Sequence, residues 1–315
     1  MAKTLLSIAR WTQPSFTTLA ARRGRAQLLA IPYSHYCEMA SWSLRVANIP
    51  TDVHKFAPGQ HILPVLSVRL AGPTRHLSST SAVTAVESPH RPSQRYKPHY
   101  PTAVPACILP DGRVLVDSWA ILRESAAIAG LPPPSDELQE YLDRDFAPLV
   151  RQAIYEILFR PVNREVWEGL VTSNGGRVWS FAWRAGVGQR LTGQMVTLFA
   201  TDDSQTVALG RTRLRETFDR VEQMCLGDLQ GAPFLGGTTP GFSDIALAAL
   251  TAPLIQPALY CEGEYAKWFQ MVYDNDPVAR DEIDGFRATA LGCHALKVYN
   301  ACRIEAIPTV PTRGA

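Results

Sequence analysis

Two stretches, residues 27–50 and 104–130, constrain what this chain can fold into. In the first, a short apolar run at 27–31 reads as a strand, and Pro32-Tyr33-Ser34-His35 reads as a turn. A helix then fits 36–47, with Met39, Ala40, Trp42, Leu44, Val46 and Ala47 supplying apolar surface, and Pro50 stops it. Loose alternation over 51–56 predicts a second strand. In the second stretch, Cys107-Ile108-Leu109, the turn Pro110-Asp111-Gly112 and Val114-Leu115-Val116 spell a hairpin. Asp117-Ser118 can cap a helix over 119–129 that ends at Gly130. Strands and helices so closely interleaved predict a small α/β domain.

Beyond Leu131-Pro132-Pro133-Pro134, a linker stiffened by fixed proline φ angles, the pattern turns all-helical. Helices are predicted over 135–159, 206–226, 264–273 and 278–302. Residues 166–198, with Trp167, Trp179 and Trp183, resist assignment. Residues 245–250 are apolar on all sides, which predicts a central buried helix. Between the two α/β stretches, 73–102 is polar and rich in Pro, Ser and Thr, so it reads as a long surface insertion with little to bury.

Composition narrows the function classes. At 46% hydrophobic and 19% charged residues the chain is globular in character, and a net charge of +2 is too mild to imply nucleic acid. Six scattered cysteines form no C-x-x-C pair, so neither a zinc ribbon nor a disulfide framework is signalled. The seven histidines show no ligand spacing, and no metal is expected; Cys293-His294 reads as a helix face. Gly186-Val187-Gly188 follows no clear strand and is a poor dinucleotide loop. No run reaches the ~20 apolar residues of a membrane span. Residues 1–26 carry Lys3, Arg10, Arg22, Arg23 and Arg25 and no acid, the composition of an organellar targeting segment. An ordinary basic arm is the plainer reading.

The order of these parts resembles the glutathione transferase family: an α+β thioredoxin-like N-terminal domain followed by an all-α domain. The resemblance covers 27–303: a thioredoxin-like domain over 27–131, which departs from the family by the insertion 73–102, and a helical domain over 135–303; the leader 1–26 and a tail over 304–315 lie outside it. In Pro32-Tyr33-Ser34-His35-Tyr36-Cys37, Ser34 falls at the family's catalytic hydroxyl or thiol. Cys37 falls at the second position of the related glutaredoxin C-x-x-C pair, although with serine at 34 dithiol chemistry is not expected. Ser34 and Cys37 are thus the candidate catalytic residues, the plainer reading being a helix cap and a half-buried thiol. Val104-Pro105 matches the family's cis-proline, whose preceding backbone pairs with the cysteinyl part of glutathione. Asp117-Ser118 matches the γ-glutamyl site, or else is a plain cap.

Gly241 and Asp244 match the family's capped core helix with half of the capping box missing. Two functions are implied. In one, the insertion disturbs the glutathione site, and the chain is a non-catalytic accessory subunit of a mitochondrial assembly, contacting other subunits through the leader and 73–102. In the alternative it is an active transferase that conjugates or reduces small electrophiles with glutathione as its substrate, Ser34 stabilising the thiolate. A dimer is compatible with either. The expected location is mitochondrial, with a plastid or the cytoplasm as alternatives.

Overall fold

The computed structural model describes residues 16–69, 103–227 and 231–303. The leader up to residue 15, the insertion 73–102 and the tail 304–315 lie outside the described residues.

A helix, α1, spans 16–23 and leads into β1 (Ala26–Ala30). Then come α2 (His35–Val46), β2 (Thr51–Lys55) and α3 (Ile62–Arg69). After the insertion follow β3 (Ala106–Ile108), β4 (Val114–Leu115) and α4 (Ser118–Ala129). The four strands form one sheet in the order β2-β1-β3-β4, with β1 parallel to β2 and antiparallel to β3. This mixed sheet with flanking helices is the thioredoxin-like domain the sequence predicts.

The sheet is covered on both faces, and the period of two shows it. From β1, Ala26, Leu28 and Ala30 face α2 and α4, packing with Leu44 and Ile121. Leu29 faces the opposite side, where Val65 and Val68 of α3 and Ala20 of α1 cover it. Residues 16–23, within the span read as leader, therefore already help to close the core. The α4 helix ends where expected: Gly130 takes φ 66, the left-handed conformation that glycine adopts without cost.

The rest of the described chain is helical. The stretch expected as one helix over 135–159 is α5 (Asp136–Tyr141) and α6 (Ala147–Phe159), joined through a π-helical turn, Leu142–Phe146. The unassigned Trp-bearing region resolves into α7 (Arg164–Thr172), α8 (Gly176–Ala182) and α9 (Gly188–Leu198). Next come α10 (Ser204–Val221) and α11 (Phe242–Ile255), then α12 (Ala266–Asn275), α13 (Pro277–Arg287) and α14 (Ala290–Cys302).

One helix was expected over 278–302, and two are found. Thr289 breaks the run in an extended conformation, and its Oγ1 accepts from the Gly292 amide at 3.0 Å. A Cβ at Gly292 would fall 2.0 Å from the Phe286 carbonyl oxygen, so only glycine permits this tight reversal.

The α11 helix is buried along its length, as its composition predicts. Gly241 has no side chain to cap it, and Asp244 carries the whole motif. Its carboxylate accepts from the amides of Leu235, Gly236 and Gly241 at 2.9, 2.9 and 2.8 Å. His294 Nε2 lies 2.8 Å from its Oδ1. Burial raises the Asp244 carboxyl, but these hydrogen bonds outweigh it and hold the group below the ordinary carboxylate range.

Candidate functional site

The strand register decides where the predicted site residues meet. Leu29 pairs with Ala106, so the start of β3 lies opposite the end of β1. Cys107 pairs with Leu115, so the end of β4 lies beside the start of β3. The chain leaving β1 toward Ser34, the chain entering β3 through Val104-Pro105 and the chain leaving β4 toward Asp117-Ser118 therefore open on one edge of the sheet. The Val104–Pro105 peptide is cis.

Two helices begin at this edge, α2 after Ser34 and α4 after Asp117. The first amides of a helix lack intrahelical acceptors, and the aligned peptide dipoles leave partial positive charge there. An edge with two such termini suits an anionic ligand.

Ser34 is the N-cap of α2, with φ −81 and ψ 125, and its side chain makes no capping bond. Its amide donates to the Ile31 carbonyl at 3.0 Å, and its carbonyl accepts from the Glu38 amide at 2.8 Å. The backbone is fixed, and the hydroxyl does not cap the backbone of the helix. The hydroxyl is within hydrogen-bonding reach of the Cys37 thiol. Cys37 itself packs in the core with Leu28 and Leu44. Burial pushes its thiol up to about 12, against the opposing contacts from Ile31 and Ser34. At neutral pH it is a protonated packing group beneath Ser34, without the exposure or the low pKa of a reactive thiol.

At the second terminus, Asp117 Oδ1 accepts from the Ala120 amide at 2.7 Å, so the residue does cap α4. Ser118 opens the helix and is buried. The capping bond is made by Oδ1.

Further residues surround Ser34, some from its own turn and some from the helical half. Tyr33, just before Ser34, is buried, packs edge-on to Tyr265 at 6.0 Å, and its hydroxyl has no hydrogen-bond partner among the described residues. His35 is buried against the Tyr36 ring at 4.2 Å. Burial, aided by the charge of Arg151, pulls His35 down to about 3, so it is neutral at pH 7. From the helical half, the Arg151 guanidinium lies 5.9 Å from the Tyr36 ring centre and 5.1 Å from that of Phe199. Phe199 in turn stacks on Tyr155 at 4.4 Å. This aromatic and cationic wall lies next to the start of α2, and its members lie far apart in sequence.

No family model matches the chain, and no curated relative matches it. Solved structures do. A glutathione transferase from Phanerochaete chrysosporium aligns over 90% of this chain and 99% of its own at a TM-score of 0.50, with 12% identity. One from Xanthobacter autotrophicus covers 84% and 94% at 20% identity and a TM-score of 0.39. One from Ceriporiopsis subvermispora, in complex with glutathione, covers 80% and 98% at 14% identity and a TM-score of 0.45. At these identities the likeness concerns architecture: the chain has the glutathione transferase fold. Among the described residues no three metal-ligating side chains gather, and no helix is long and apolar enough to cross a membrane.

Proposed function

We propose that this protein is a glutathione-dependent transferase that joins the thiolate of glutathione to a small electrophile. The observation that carries this reading is the convergence of Ser34, Val104-Pro105 and Asp117-Ser118 on one sheet edge where two helices begin. The Ser34 hydroxyl donates to the glutathione sulfur, and the start of α2 adds favourable potential, so the thiol ionises near neutral pH. The backbone at Val104 pairs with the cysteinyl unit, and Asp117 and Ser118 hold the γ-glutamyl end. Cys37 takes no part in the chemistry.

The thiol proton leaves to solvent, and the sulfur lone pair forms a bond to the electrophilic carbon. A leaving group departs with the displaced electron pair, or an activated double bond takes up a proton. The rings of Tyr36, Tyr155 and Phe199 supply the apolar wall for the electrophile. Ser34→Ala tests the assignment: turnover falls by about 10²-fold while the glutathione Kd moves by less than about threefold. A variant as active as the wild type contradicts it.

A second reading, the non-catalytic accessory subunit, is favoured by one surface. The α8 helix buries none of its residues, and Val178 and Phe181 are 84% and 75% exposed. Such side chains suit a protein partner. The mitochondrial destination rests on the basic, acid-free composition of residues 1–26. The two readings part on glutathione: the accessory subunit has no need to bind it.

A further inference from the structure

Ser34 is bracketed by two contacts from the distant helical half. On one side, Tyr260 Oη donates to the carbonyl of Tyr33, the residue before Ser34, at 2.8 Å. On the other, Glu38, whose amide bonds the Ser34 carbonyl, is gripped by Arg303 at the end of α14. Arg303 Nε donates to Glu38 Oε1 at 3.0 Å and Nη2 to Oε2 at 2.9 Å, a two-pronged pairing. The guanidinium also lies 5.4 Å from the centre of the Trp42 ring. Tyr299 donates to the same carboxylate at 3.2 Å, and the Cys261 amide adds a further bond. All of these groups are buried.

Two features set this apart from ordinary packing between halves. First, a buried ion pair is a poor source of net stability, because desolvating both charges costs about as much as their attraction returns. Its value is in fixing a geometry. Second, the turn that carries the clasp is strained. Cys261 and Glu262 take φ 52 and φ 61, left-handed values that side chains other than glycine avoid. Strain of this kind persists where the surroundings over-determine it, and it clusters at functional positions.

The geometry points to Tyr260 and Arg303 as positioning residues for Ser34, holding the first turn of α2 from both sides so that its hydroxyl faces the ligand sulfur. This rests on the proposed role of Ser34. Arg303 has a second effect. Glu38 places a carboxylate one turn from the thiolate, and the guanidinium neutralises it. The charged and titratable groups around Glu38 are Arg303 and Tyr299 from the end of α14, Tyr260, Cys261, Glu262 and Glu264 from the strained turn, Cys37 from its own helix, and Lys55 of β2, which lines the same cavity; Arg45 of α2 pairs with Glu262. Arg303 is the cation that hydrogen-bonds the Glu38 carboxylate.

The test uses the full chain, glutathione as ligand, and Tyr260→Phe and Arg303→Lys. Tyr260→Phe keeps the ring and removes only the donor, so it reports even if the arginine variant does not fold. The bound thiol is titrated by the ultraviolet absorbance of its thiolate, alongside the glutathione Kd and the thermal midpoint. In Tyr260→Phe the Kd stays within about twofold, the bound thiol titrates about one pH unit higher, and turnover at pH 7 falls about tenfold and recovers at alkaline pH. Arg303→Lys shifts in the same direction, because lysine keeps the charge but not the fork. Variants that melt earlier yet titrate like the wild type make the clasp purely structural and overturn the inference. A folded wild type that binds no glutathione overturns the site itself, which is a separate and recognisable result.

Discussion

At the scale of single residues, the site separates groups that share a sequence neighbourhood. Ser34 and Cys37 lie three positions apart, yet one keeps its hydroxyl off the helix cap and the other is sealed in the core. Asp117 caps α4 and is proposed to hold the γ-glutamyl end of glutathione, and Asp117→Asn separates these roles. Asparagine caps as well as aspartate, so the thermal midpoint holds while glutathione binding weakens by roughly tenfold, as expected for a lost charge-assisted contact. Equal loss of both would make Asp117 a cap only.

His35 gives a pH prediction. It titrates at about 3 in the fold against an ordinary value of 6.5, so the unfolded chain takes up its proton first. The stability it contributes is complete above pH ~6.5 and declines as pH falls toward 3. The raised carboxyls of Glu38 and Glu282 work in the opposite sense, so the isolating comparison is with His35→Phe. Denaturation midpoints taken from pH 7 down to pH 4 fall less steeply in His35→Phe than in the wild type. Parallel curves would contradict the assignment.

At the scale of elements, Asp244 shows how a motif incomplete in sequence is complete in space. Three backbone donors and His294 converge on one buried carboxylate. Asp244→Ala leaves those buried donors without a partner and destabilises the fold by roughly 3 kcal/mol or more, read from denaturant unfolding. Asp244→Asn, which keeps one acceptor oxygen, loses less. The strands, α2, α4 and α11 were legible because period and punctuation agree in each. The break between α13 and α14 was not, because Thr289 and Gly292 act through a close backbone approach that no linear pattern displays. The π-helical turns at Leu142–Phe146 and Glu222–Leu226 are likewise silent in the apolar period.

At the scale of the whole molecule, sequence motifs named the candidate residues, and register brought them together. Ser34 is far in sequence from Pro105 and Ser118, and the antiparallel pairing of β3 with both β1 and β4 places all three on one edge. The wall of Arg151, Tyr155 and Phe199 and the clasp of Tyr260 and Arg303 come from the other half of the chain. Arg151, Tyr260 and Arg303 meet residues of the first half more than a hundred positions away, so no local pattern could reveal them. The most direct test is calorimetric titration of the full chain with glutathione, repeated with Ser118→Ala. Binding with a Kd below about 1 mM in the wild type, lost by tenfold or more in the variant, is the predicted result for a small polar ligand held by few contacts. No heat of binding from a folded wild-type protein would contradict it and leave the accessory subunit as the function of this fold.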